Sequence, residues 1–186
     1  MSHRFADIAF TDSVKVMQAA YGSREHNDHL QATAGPNDVL GPKEFSFIAE
    51  RDTFYLATVG DSGWPYVQHR GGPKGFLQAL NPTQLAYADF RGNTQLISTG
   101  NVMINDRCSL ILMDYPRLKR LKILGHMQVQ NAADAGSELL TAVRSDDYRA
   151  EIERVVIINV AAFDWNCPQH ITKRYTEAEI AARNQV

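Results

Sequence analysis

Cysteine is scarce in this chain of 186 residues, with two in all, Cys108 and Cys167, far apart in sequence. So few thiols cannot form a disulfide framework, and two reduced cysteines are the default reading. Only Cys167 has a metal-ligating neighbour, His170, which is half of a metal site at most, and no matching pair occurs elsewhere, so no metal is expected. An excess of either charge is missing too: the formal net charge is -2, which argues against a general grip on nucleic acid or on an anionic membrane. No window approaches the roughly twenty uninterrupted apolar residues of a membrane span. The segment Ser2-His3-Arg4-Phe5-Ala6-Asp7 lacks the apolar centre of a signal peptide, so the expectation is a cytoplasmic protein with no membrane or nucleic-acid partner.

What is present is ordinary globular usage, 44% hydrophobic and 22% charged. This suits a single domain, residues 1–186, with a helical extension over 1–44. Thr11 or Asp12 can cap a helix that puts Val14, Met17, Ala20 and Tyr21 on one face, with Gly22 as its stop. The polar stretch Ser23 to Gly41 reads as an ordered extension or partner-wrapping arm, and equally as a mobile loop. Pro42 suits the first turn of a helix carrying Phe45, Ile48 and Ala49 inward.

From Thr53 the texture is that of strands. Thr53–Val59 is β-branched and aromatic, Gly60-Asp61-Ser62-Gly63 is a turn, and Pro65–His69 runs back as the second arm of a hairpin. Gly75–Leu80 and Gln84–Ala88, joined by Asn81-Pro82-Thr83, repeat the arrangement. A short helix over Thr94–Val102 precedes two more strands, Cys108–Met113 and Arg120–Val129. The pattern, counted as six strands, favours a closed antiparallel barrel with peripheral helices, a mainly β fold. Ala132–Val143 has the stripe of an amphipathic helix, and Asp146–Ile152 is expected to make another. The β-branched run Arg154–Val160 should be a central strand. Thr176 and Glu179 have capping-box spacing for a last helix.

Three polar, glycine-bearing clusters each follow a strand-like run: Arg70-Gly71-Gly72-Pro73-Lys74, Asp89-Phe90-Arg91-Gly92-Asn93 and Ser98-Thr99-Gly100-Asn101. They bring cations, hydroxyls, carboxamides and bare N–H groups to the ends of rigid elements, as binding of a phosphorylated cofactor requires. Arg70–Lys74 taken alone is also a plain hairpin loop, and Gly100 also suits a helix C-terminus. Arg120 and Lys122 alternate with apolar residues, which fits outward charges as well as a binding groove. His26, His29 and His126 have no partner pattern and are assigned no chemistry.

The order of Ala57-Thr58-Val59, Gly63, Pro65, Val67, the Arg70–Pro73 turn, Ala86-Tyr87-Ala88-Asp89, Asn105–Leu110 and Leu121–Gly125 resembles the pyridoxamine-phosphate-oxidase-like flavoproteins. Ending in Asp164-Trp165-Asn166-Cys167-Pro168-Gln169-His170-Ile171, it is similar to an FMN-dependent branch of them, over roughly Phe45 to Arg183. The resemblance implies a six-stranded split β-barrel, a homodimer, and FMN in the groove between subunits. By position, Gln68, His69, Arg70 and Gly71 match the strand that runs under the flavin. The family's phosphate-gripping basic pair is replaced by Gly92-Asn93 and by Ser98, Thr99 and Asn101, leaving Arg70, Arg120 and Lys122 as sources of charge. Trp165, Asn166 and Gln169 are implied to close over the partner's flavin.

The implied activity is hydride transfer through flavin N5 by an oxidoreductase, with NAD(P)H as an eligible donor. No catalytic side chain is assigned. The C-terminal Arg-x-His of true pyridoxamine phosphate oxidases is absent, since Lys173-Arg174-Tyr175 stands instead, so pyridoxamine phosphate is not the expected substrate. Alternatives are a deazaflavin-dependent split barrel and a flavin- or heme-binding module without turnover.

Overall fold

The computed structural model describes residues 2–92, 94–165 and 167–183. Its centre is one antiparallel sheet of seven strands: β1 (Thr53–Val59), β2 (Pro65–Gly71), β3 (Gln78–Asn81), β4 (Gln84–Phe90), β5 (Arg107–Asp114), β6 (Lys119–Asn131) and β7 (Ile152–Trp165). The hydrogen-bonded order is β2-β1-β5-β6-β7-β4-β3. Both expected hairpins form, with Thr53 opposite Gly71 in one and Gln78 opposite Ala86 in the other.

The expectation of six strands in a closed barrel is corrected on both counts. The seventh strand is the β-branched run, longer than its apolar heart, which enters between β6 and β4. Main-chain closure fails because β3 is short and pairs with β4 only as far as Ala86. Beyond that point, among the described residues, Tyr87–Phe90 has β7 on one side and no strand on the other, and β2 at the far end of the order has only β1. Between these two free edges lies a seam that side chains bridge.

Alternation along the strands builds the core. Phe54 and Leu56 of β1, Leu110 and Leu112 of β5, Leu121 and Ile123 of β6, and Ile158 of β7 are fully buried. Each such side chain contributes about 1.5–3 kcal/mol. Phe54 stacks on Phe76 with ring centres 5.5 Å apart and meets Tyr87 edge-on at 5.4 Å, tying the seam side of the sheet together. The long strands β6 and β7 shift register between Leu124 and Gly125. A Cβ on Gly125 would lie 2.7 Å from the Asn159 carbonyl oxygen, so only glycine lets the strands cross that closely.

Helices surround the sheet: α1 (Arg4–Ala9), α2 (Asp12–Ala20), α3 (Arg24–Thr33), α4 (Pro42–Ala49), α5 (Ile97–Ile104), α6 (Ser137–Val143) and α7 (Glu177–Arg183). Part of the polar stretch after Gly22 is therefore helix α3, which packs on α1 and α2. His3 caps α1, its Nδ1 accepting the Ala6 N–H at 3.2 Å. The stripe over Ala132–Val143 is broken into a short 3-10 turn and α6, because Gly136 starts a new helix. Asp146–Ile152 is not a helix: 144–151 is turn and irregular backbone, Tyr148 packs on Phe90, and Ile152 begins β7. The capping box before α7 forms, Glu179 accepting from the Thr176 N–H at 2.8 Å. Among the described residues no helix is long and apolar enough to cross a membrane.

Candidate functional site

Strand β2 carries the first polar cluster on an unpaired edge, and alternation sends its side chains two ways. His69 points outward, its ring edge-on to Tyr55 at 5.7 Å and its Nε2 beside the Thr53 hydroxyl. Gln68 and Arg70 point the other way. At Gln68 the strand meets α5: the Ser98 hydroxyl donates to Gln68 Oε1 at 3.2 Å. One turn on, Asn101 Nδ2 donates to the Thr58 hydroxyl of β1 at 3.0 Å. Helix α5 starts after Leu96, which has left-handed backbone (φ 54°), and Thr99 is half-buried on its first turn. Gln68, Ser98, Thr99 and Asn101 thus share one corner of the molecule, with Trp64, Val67, Leu96, Ile97, Met103 and Ile104 as exposed apolar residues of the same strand end and helix.

Arg70 and Asp89 meet in the seam. Arg70 Nη1 lies 2.6 Å from Asp89 Oδ1, and Arg154 Nε of β7 lies 2.8 Å from Asp89 Oδ2. All three side chains are almost wholly buried, so the carboxylate is clamped between two guanidiniums in a low-dielectric setting. Arg70 Nε and the Tyr87 hydroxyl are buried there without a partner among the described residues. Burial raises the Tyr87 hydroxyl far above its ordinary pKa, against the Arg70 charge that lowers it.

The remaining expected residues stand apart from this corner. Lys122 is paired with Asp164 across β6 and β7 at 3.1 Å, with its ammonium 4.5 Å from the centre of the Phe5 ring. Arg120, two residues earlier on the same strand, has a buried Nε with no partner among the described residues. Trp165 ends β7 and packs within its own chain: its Nε1 donates to Glu44 Oε1 at 2.7 Å, and its ring meets Phe47 edge-on at 4.8 Å. Gln169 is exposed, its N–H donating to Cys167 Sγ at 3.5 Å. Gly92 sits in an exposed turn with φ 135°, and Asn93 and Asn166 lie outside the described residues. Glu44 and Arg154, not singled out from sequence, are the partners of two residues that were. A charged residue at the head of so apolar a run as Arg154–Val160 was the available signal.

A model of the family described as pyridoxamine 5'-phosphate oxidase matches residues 40–171. Among solved structures, the fold is similar to a candidate pyridoxamine 5'-phosphate oxidase from Lactobacillus delbrueckii, with TM-score 0.54, 20% identity, and coverage of 69% of this chain and 96% of that one. It is also similar to HupZ from Group A Streptococcus, with TM-score 0.54, 17% identity, and coverage of 73% and 100%. A search of curated proteins finds no match.

Proposed function

The chain belongs to the pyridoxamine 5'-phosphate oxidase family, and on that premise we propose that it is an FMN-dependent oxidoreductase acting as a homodimer, with the flavin held at the β2–α5 corner. The observation that carries this reading is the Ser98–Gln68 hydrogen bond, which joins two clusters distant in sequence beside the free edge of β2. The exposed apolar residues around it supply a surface for the ring and for a second copy of the chain.

The residues fit the ring and polyol of FMN more fully than its phosphate. Ser98 and Asn101 are occupied in holding α5 on β1 and β2, which leaves the Thr99 hydroxyl and the first N–H groups of α5 for an anion. Arg70 and Lys122 are each neutralised by an acid, and Arg120 keeps an unpartnered buried N–H. When bound, FMN would supply hydride acceptance at its N5. The chain's part is to bind and orient. Main-chain groups on the free edge of β2 meet the pyrimidine side, Arg70 locked to Asp89 keeps that strand in place, and the apolar corner excludes water.

Absorbance and fluorescence of the purified protein test the reading. A yellow protein whose released fluorophore is unchanged by phosphodiesterase supports FMN, and bleaching by NADH or NADPH under anaerobic conditions supports turnover. Colourless protein that does not take up added FMN overturns it.

A further inference from the structure

A cavity of about 290 Å³ opens between α4, the turn that joins β5 to β6, and the end of β7. Both acids of its lining, Glu50 and Asp114, are already shared by two guanidiniums. Glu50 Oε2 lies 2.8 Å from Arg117 Nη1 and 3.1 Å from Arg51 Nη2. Asp114 Oδ2 lies 3.1 Å and 3.2 Å from the same two atoms, and Asp114 Oδ1 accepts the Arg117 main-chain N–H at 3.0 Å. These two pairs of opposite charges cancel.

Two further cations line the same space with no acid to neutralise them. No ion pair among the described residues involves Lys43 or Lys119. The Lys43 ammonium sits instead 4.2 Å from the centre of the Trp165 ring, a contact that holds the charge without cancelling it. Glu44 stands next to Lys43 in the chain, but its oxygens are engaged by the Gly41 N–H and by Trp165 Nε1. Even with Glu44 counted, the four cations outnumber the carboxylates. Arg117 meets both acids through Nη1 alone, which leaves its Nε and Nη2 to donate elsewhere, and Ser46 adds a hydroxyl. Glu50 Oε1 is the one lining carboxylate oxygen without a guanidinium contact among the described residues, and it belongs to an exposed side chain. Donors and positive charge are thus in excess.

Charge and size narrow the occupant. Lysine ammoniums are point charges that suit a phosphate, and a phosphoryl group carries about -1.5 to -2 at neutral pH, which matches two unneutralised lysines. The volume stands at the lower limit of the roughly 300–1,000 Å³ of ligand pockets, enough for a body of one ring and too little for a flavin.

We propose that this cavity binds a phosphoryl dianion, held by Lys43, Lys119 and the remaining N–H groups of Arg117, with the Ser46 hydroxyl as a further donor. None of these four residues belongs to the cofactor corner, so the site stands whether or not a flavin is held there.

Calorimetric titration of the purified protein with phenyl phosphate, inorganic phosphate and benzoate, at pH 8 and constant ionic strength, tests this. The tighter of the two phosphates should saturate one site per chain with a Kd below about 1 mM. A preference for phenyl phosphate assigns the site to a phosphomonoester, and a preference for inorganic phosphate to the free ion. Benzoate, with a single charge, should bind at least about tenfold more weakly. Lys119→Gln removes an exposed charge that pairs with no acid, so the variant should melt with wild type and yet bind the phosphate about five- to tenfold more weakly. Ser98→Ala, at the cofactor corner, should leave phosphate binding unchanged. Absence of saturable binding, equal affinity for benzoate, or undiminished binding by Lys119→Gln would each overturn the assignment. A loss of phosphate binding on Ser98→Ala would overturn it too, by moving the phosphate to the cofactor corner. The comparison of phosphate with benzoate on wild type stands even if a variant fails to fold.

Discussion

Arg70 Nη1 lies 2.6 Å from Asp89 Oδ1, across two strand edges that are not neighbours in the hydrogen-bonded sheet. Side chains therefore do at this seam what a main-chain ladder does in a closed barrel, and Asp89 is central because Arg154 shares it. Removing the acid leaves Arg70 buried without an acidic partner and Arg154 with Glu153 alone, whereas removing Arg70 leaves Arg154 to neutralise Asp89. Asp89→Asn should cost about 3–5 kcal/mol, and Arg70→Met distinctly less. Urea unfolding of both variants decides the point, and equal losses would contradict the shared clamp.

Trp165 is anchored to α4 of its own chain through Glu44 and Phe47. Trp165→Ala should destabilise cofactor-free protein by about 3 kcal/mol, the low end for truncating a packed aromatic, because the ring is only partly buried. Thermal unfolding with and without FMN checks this. A loss seen only with FMN present would instead make Trp165 a cover for the cofactor.

Local patterns made the strands legible, and tertiary partners were what they left out. Thr53–Val59 shows its strand through β-branched and aromatic residues, and the Gly60–Gly63 turn brings back Pro65 opposite Val59. Helix α3 was hidden because Arg24–Thr33 is almost all polar, without a stripe to mark it. At 146–152, Ile152 belongs to the following strand, and what precedes it is held by Tyr148 on Phe90. Arg70 and Asp89 were both visible as charges at strand ends. That they neutralise each other depends on how the sheet curls, which no spacing encodes. Lys122 likewise shows its partner only once β6 and β7 are in register, opposite Asp164.

The two thiols should differ sharply. Burial, aided by the Asp106 charge, pushes the Cys108 thiol up to about 12, whereas Cys167 is exposed. Reaction requires the thiolate. At pH 8 a disulfide reagent should modify one thiol per native chain and two after unfolding in denaturant; fast modification of both in the native protein would refute the burial of Cys108.

Acid should weaken the fold partly through Asp114. Burial pushes its carboxyl up, but the Arg117 N–H and side-chain bonds, with the charges of Arg51 and Arg117, outweigh it and hold the pKa below the ordinary value. The unfolded chain then binds the proton more readily than the native one. This stability is complete above about pH 4 and is lost as pH falls through the lowered native pKa. Asp114→Asn should be less stable than wild type at pH 7 and lose less on going to pH 3. Urea midpoints across that range measure it, and parallel curves would exclude Asp114 as a source of acid sensitivity.

The Ser98–Gln68 bond offers the sharpest test of the cofactor corner, because α5 has a second tie to the sheet through Asn101 and Thr58. Ser98→Ala removes one hydrogen bond, worth about 1 kcal/mol, without detaching the helix. If the first turn of α5 and the edge of β2 hold FMN jointly, relaxing their spacing should weaken FMN by roughly five- to tenfold while the cofactor-free melting temperature moves little. Fluorescence titration of FMN into wild type and variant separates these effects. Unchanged affinity would take the cofactor away from this corner, and a large fall in stability would make Ser98 a packing residue instead.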